Sequence, residues 1–471
     1  MKYISTRNGL ETYSFEEVFF GGLSSDGGLF IPCNIPKINC IFDYPLSLPQ
    51  IAFKIFRSYI TKDEIDDHNL QMILDKSLNI DIPLHTLPDC IVAEMFHGPT
   101  FSFKDFALQT VGNFFEFFAA RSKTKQSYNV VCATSGDTGS AAIYGIRGKE
   151  NVNCFVLFPH NKISETQRKQ MTTVMNSNIH CIAFDGTFDD CQNIVKKMFL
   201  DNSLRNMNLT AVNSLNWARI LSQISYYAYI SLKLEHEGVH GTKMHHFNVS
   251  VPTGNFGNAL SAYYAKLMGF SIQKIIVATN ENDNLCNFFA TGEYKMTQTF
   301  ETYSPSMDIS IASNFERLIW IKNFQLFNNH IKACNKTKDM MLQFQHTKLM
   351  SFDKSLFEND FLSQKVSNFD TLVSIKSVYF ESNYIIDPHT AVAIKTFQKS
   401  KNKLCSPTVC ISTAHPSKFI KTIRECFEYT HIPRPLLELE GLPEKYTLLY
   451  GFSNVVKFIR NTITLNVSQN T

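Results

Sequence analysis

From Ile91 onward the chain repeats one pattern. A short run of apolar and β-branched residues leads into a polar or glycine-rich loop, and small residues at helical spacing follow, as in βα units. Residues 129–133 form one such run. It continues through Thr134, Ser135, Gly136, Asp137, Thr138 and Gly139 into a helix-like stretch, 140–144. Residues 248–251 form another, followed by the loop 252–258. After that loop Leu260, Tyr263, Tyr264 and Leu267 share one helical face, and Gly269 stands where a glycine cap closes a helix. Further strands are predicted over 154–158, 275–278 and 408–411, so the pattern predicts a multi-layer α/β protein. The first ninety residues are mixed, with a turn at 25–28 and a proline-interrupted stretch over 32–49. Residues 321–376 are rich in Asn, Lys and Phe and show no clean period.

At 471 residues, and with about 150 residues per domain as the usual scale, the chain should form two or three packed units. An apolar share of 44% against a charged share of 18% is that of a globular protein and argues against disorder. A formal net charge of +3, not gathered into a stripe, gives no reason to expect nucleic acid as a partner. The first residues lack the order of a secretory signal. Nor does any run approach the roughly 18 apolar residues of a membrane span, so the expectation is a cytoplasmic protein without a membrane partner. The 12 cysteines show neither a C-x-x-C pair nor zinc-like spacing, which favours reduced thiols and no metal.

Two segments could carry chemistry. Backbone N–H groups converging where Gly254, Asn255, Phe256, Gly257 and Asn258 enter a helix suit a phosphate, although Gly and Asn also serve as plain turn residues. The loop has neither dinucleotide nor P-loop glycine spacing, which leaves a phosphorylated cofactor. The second segment sets Lys104 among Phe101, Phe103 and Phe106. Apolar company disfavours an ammonium ion and prepares an amine for imine formation; a plain surface turn at Lys104 and Asp105 is the competing reading.

His97, Gly98, Pro99 and Thr100, followed by Phe103, Lys104 and Asp105, resemble the cofactor-lysine motif of threonine synthases, within the fold-type II pyridoxal-phosphate enzymes. Four more blocks follow in that family's order: 134–139, 213–219, 254–257 and 412–419. Shorter matches at 27–29, 306–308 and 441–444 extend the likeness over nearly the whole chain. The resemblance implies an α/β, multi-domain fold-type II enzyme, tryptophan synthase β-like, with an additional N-terminal domain. Residues 1–90 would be that domain, 91–128 with 236–471 a large cofactor-binding domain, and 129–235 a smaller substrate-binding domain.

The same resemblance implies pyridoxal 5'-phosphate as cofactor, held as a Schiff base by Lys104, the catalytic base. Asp137 would lie near the cofactor's 3'-oxygen, Gly254 to Asn258 around its phosphate, and Thr413 at its pyridine nitrogen. Thr134, Ser135 and Thr138 would hold the substrate, and Ser214, Asn216 and Arg219 its phosphate. The implied reaction converts O-phosphohomoserine and water to threonine and phosphate, in a monomer or homodimer. A phospho-lyase that yields a keto acid, a dehydratase, or a non-catalytic relative would carry much the same residues. No role attaches to His415, and Lys162 and Arg168 are expected at the surface.

Overall fold

The predicted strands all form, each slightly longer than its apolar run. In the computed structural model, which describes residues 1–38, 42, 44–122 and 127–469, they are Tyr128–Ala133, Val152–Pro159, Phe247–Pro252, Ile272–Thr279 and Thr408–Ser412. The helices expected after the two loops are Asp137–Ile146 and Gly257–Leu267, and Gly269 follows the second at φ 103°. Chain contacts divide the protein into two units, Met1–Gly98 with Ser214–Tyr429, and Pro99–Asn213 with Thr430–Thr471.

The first unit is built on a six-stranded sheet. Its order is Phe361–Lys365, Ile272–Thr279, Phe247–Pro252, Thr408–Ser412, Ile91–Glu94 and Leu84–Thr86, all parallel except the last. Every residue of Phe247–Pro252 is buried, as a parallel strand covered on both faces requires. The N-terminal region adds a three-stranded antiparallel sheet, and the turn at 25–28 forms with Gly27 at φ 76°. Tyr3 and Tyr59 set their rings 6.1 and 5.7 Å from that of Trp217, on the long helix Trp217–His236.

Residues 321–376 contain helices after all. In Phe315–Phe327 the nine residues from Phe315 to Asn323 are buried in succession, among them Glu316, Arg317, Lys322 and Asn323. A helical stretch buried all round, with polar residues inside, has no amphipathic period to read.

The contact division differs from the expected domain limits: residues 1–90 fall in one unit with 214–429 instead of standing alone, and three other segments change sides. Helix Lys104–Arg121 belongs to the second unit because it packs on Asp137–Ile146 through Gly112 and Gly145. Helix Trp217–His236 stays with the first, where it packs on Leu48–Tyr59 and Gly257–Leu267. Residues 430–471 join the second because Thr447–Leu449 pairs with Ile179–Phe184, and Val455 and Ile459 enter that unit's core. Its parallel sheet runs Thr447–Leu449, Ile179–Phe184, Val152–Pro159, Tyr128–Ala133, Leu209–Thr210.

His180 lies in this sheet with its ring stacked 4.7 Å from Phe155, and its Nε2 has no partner among the described residues. Burial, with Lys445 adding repulsion, pushes its pKa down to about 4 from 6.5. Between those values the unfolded chain binds a proton that folded His180 refuses. Stability should therefore fall as pH drops through this window and stay unaffected by His180 above it. Urea unfolding at pH 7 and 4.5 should show wild type losing about 2 kcal/mol more than His180→Phe, which cannot titrate. Equal losses in the two proteins would refute the assignment.

Candidate active site

In the second unit, Lys104 is the first residue of its helix, and a clasp in the preceding segment sets its direction. The buried Asp105 carboxylate accepts from Thr100 N at 2.8 Å and Thr100 Oγ1 at 2.7 Å. Asp105 is thus an internal brace, and the reading of Lys104 and Asp105 as a surface turn fails. Lys104 Nζ lies 3.3 Å from Asp137 Oδ2 and 4.8 Å from the centre of the Phe103 ring, with side-chain exposures of 12% for Lys104 and 3% for Asp137. Apolar company is therefore only half of the environment. The amine also has an acid partner, whose other oxygen accepts from Gln167 Nε2 at 2.9 Å.

Asp137 opens the helix that follows strand Tyr128–Ala133, so the loop geometry decides where its carboxylate points. Thr134 organises that loop: its Oγ1 accepts from Gly136 N and Gly139 N, both at 2.9 Å. Both bonds use the acceptor side of the hydroxyl, so its own hydrogen remains to be donated. Ser135 on the loop and Thr138 in the first turn of the helix are half-buried. Lys162 is exposed as expected, whereas Arg168 pairs with Glu444 at 2.9 Å.

In the first unit, the carboxyl end of strand Phe247–Pro252 leads into the second loop, the position where open α/β sheets bind ligands. Phe256 takes a left-handed conformation, φ 63° and ψ 1°, which turns the chain sharply into helix Gly257–Leu267. Its ring, packed among Phe289, Phe315 and Phe361, holds the residue in that sparsely populated region. Asn258 Oδ1 accepts from the hydroxyls of Tyr226 and Tyr227, each at 2.6 Å. Burial raises both tyrosines well above their ordinary pKa, so they remain donors. Asn258 Nδ2, buried at the helix start, has no partner among the described residues. Those features together suit an anion.

Asn255 is fixed from the far side of the sequence. Its carbonyl accepts from Asn314 N at 3.1 Å and Asn314 Nδ2 at 3.2 Å, and its Oδ1 accepts from Ser313 Oγ at 3.0 Å. Ser214 Oγ lies 3.0 Å from Ser313 Oγ, so Ser214 joins the same chain of hydroxyls. Arg317 donates to Asn314 Oδ1, to Leu215 O and to Phe30 O, and though burial lowers its pKa to about 10 it stays charged.

Asn216, expected at a phosphate, also has a structural task. Fully buried, it caps helix Trp217–His236, accepting from Ala218 N at 2.9 Å and donating to Phe19 O at 2.8 Å. Arg219, one turn along, is buried, and its charge reaches Tyr226. Thr413, just past strand Thr408–Ser412, is also buried. His415 receives the Ser417 N–H at 3.2 Å and stands edge-on to Phe96. Burial, then His97, lowers its pKa to about 4, so it is neutral near pH 7. No group of three metal-ligating side chains occurs among the described residues, and no described helix is long and apolar enough to cross a membrane.

Gln167, Tyr226, Tyr227, Ser313, Asn314 and Arg317 escaped the sequence reading. None sits in a glycine-rich loop, and each reaches its partner only after folding.

Residues 83–325 match the family described as pyridoxal-phosphate dependent enzyme, 2–78 the threonine synthase N terminus, and 390–459 the threonine synthase C-terminal family. A Schizosaccharomyces pombe protein named threonine synthase is 40% identical, covering 100% of this chain and 99% of its own. The crystal structure of threonine synthase from yeast superimposes with a TM-score of 0.92 at 38% identity, over 99% of both chains. A pyridoxal-phosphate-bound threonine synthase from Brucella melitensis gives 0.89 at 32% identity, over 98% of this chain and 99% of the other.

Proposed function

The chain belongs to the threonine synthase family of pyridoxal-phosphate enzymes; from that membership we propose that it converts O-phosphohomoserine and water to threonine and phosphate, with Lys104 carrying the cofactor. The observation that carries the reading is the Lys104 amine, 3.3 Å from the buried Asp137 carboxylate at a helix start.

The donor set fits the cofactor. Asn258 Nδ2 and the N–H groups at the start of helix Gly257–Leu267 suit its phosphate, and the Thr413 hydroxyl suits its ring nitrogen. When bound, pyridoxal phosphate supplies an electron sink for negative charge at the amino acid's carbons. Lys104 Nζ takes the proton from substrate Cα and then one from Cβ, and phosphate leaves from Cγ. A proton returns to Cγ, water adds at Cβ, and Lys104 restores the Cα proton, which balances threonine plus phosphate against substrate plus water. Asp137, 3.3 Å from Nζ, orients the amine and would lie near the cofactor's 3'-oxygen. Ser135 and Thr138 hold the substrate, and Ser214 and Arg219 its phosphate.

Purified protein given O-phosphohomoserine should release threonine; dominant α-ketobutyrate would replace the synthase reading with a lyase. Arg219→Gln should weaken phosphohomoserine use roughly ten- to 150-fold, the loss of one charged hydrogen bond, and leave cofactor binding intact. An equal loss of cofactor binding would move Arg219 off the substrate's phosphate.

A further inference from the structure

Gly254 rests against a turn whose anchorage the proposed chemistry does not use. A Cβ at Gly254 would lie 2.6 Å from Ser306 O, so the turn Pro305–Met307 directly backs the loop. Ser306 N–H in turn donates to His389 Nε2 at 3.2 Å.

His389 can accept there only as one tautomer. Its Nδ1 lies 2.7 Å from Asp387 Oδ2, and that carboxylate also receives His389 N at 2.9 Å, Thr390 N at 3.1 Å and the Thr390 hydroxyl. An ionised carboxylate accepts and never donates, so the proton sits on Nδ1 and the Nε2 lone pair faces Ser306. The Thr390 hydroxyl, having given its hydrogen to Asp387, accepts from Ser412 Oγ at 2.8 Å. Ser412 precedes Thr413. One buried chain of hydrogen bonds therefore runs from the turn behind Gly254, through His389, Asp387 and Thr390, to the strand end that presents Thr413.

We propose that His389 is a positioning residue: held by Asp387 as the Nδ1–H tautomer, it anchors the turn 305–307 behind Gly254 and so sets the phosphate loop for cofactor binding. This rests on the reading that loop 254–258 takes the cofactor's phosphate. An asparagine amide replaces Nδ1 but falls short of Ser306, whereas a glutamine oxygen reaches the place of Nε2.

The test is titration of cofactor-free protein with pyridoxal phosphate, followed by visible absorbance, for wild type, His389→Asn and His389→Gln, with the melting temperature of each cofactor-free variant as control. His389→Asn should weaken cofactor affinity about five- to tenfold, the worth of one neutral hydrogen bond, and His389→Gln should restore most of it. Equal affinity in both variants, whether lost or kept, would overturn the proposal. Gly254→Ala should also weaken binding; unchanged affinity there would overturn the phosphate-loop reading and this inference with it. Imidazole nitrogen-15 spectra of the wild-type holoenzyme should show His389 protonated at Nδ1, and a proton at Nε2 would refute the anchor without recourse to any variant.

Discussion

Lys104→Ala is expected to lower threonine formation by about a thousandfold or more, since it removes both the covalent anchor and the proton carrier. The visible band of bound cofactor should disappear, and borohydride should trap no cofactor on the chain. Folding should survive with some loss of stability. The Asp137 carboxylate, 3% exposed, keeps Gln167 at 2.9 Å but loses the cation 3.3 Å away. A buried carboxylate that loses its cation is costly, so Lys104→Ala with Asp137→Asn should be more stable than Lys104→Ala alone and equally inactive. Normal threonine output from Lys104→Ala would end the proposal, because no other chemistry is assigned to this amine.

The second large effect concerns the crossing of helices Lys104–Arg121 and Asp137–Ile146, which carry that ion pair at their first residues. A Cβ at Gly112 would lie 2.0 Å from Gly145 O, and one at Gly145 would lie 2.3 Å from Leu108 O. Both obstacles are backbone, so no side chain can rotate away and the helices themselves must part. Gly112→Ala should cost about 3 kcal/mol in urea unfolding, at or beyond the upper end of overpacking penalties. Gly441→Ala, where nothing stands within 4 Å, serves as the control and should cost far less. Parting the helices also shifts Lys104 against Asp137, so the folded fraction of Gly112→Ala should show reduced turnover. A loss in stability no greater than that of the control would mean that the crossing yields more easily than close-packed backbone does.

Much of the site was legible from local order alone. The run before Thr134 and the run before Thr253 each announced a strand, a loop and a helix. Covalent spacing decides such patterns: side chains alternate along a strand, recur every three to four residues on a helix, and glycine or asparagine marks the turn between. Lys104, Asp137, Gly254 and Thr413 are the candidates that the motifs single out, and the family resemblance of those motifs matches the full-length similarity to threonine synthases.

Other features were invisible in any local window. The residues Lys104 and Asp137 are 33 positions apart, and only the packing of two glycine-faced helices makes them a pair. Asn216 and Thr134 were singled out as ligand groups, and no local window shows that Asn216 also caps a helix through Ala218 and Phe19 or that Thr134 also gathers two loop N–H groups. His389, 83 positions from Ser306, carried no motif signal at all.

What the sequence determined by itself was the βα grammar, the phosphate-suited loop and the lysine. Tertiary structure decided which polar atoms are used up inside the fold and which remain for a ligand. Burial is the reason: desolvation obliges every enclosed donor and acceptor to find a partner, and that partner is chosen by packing in space, not by distance along the chain.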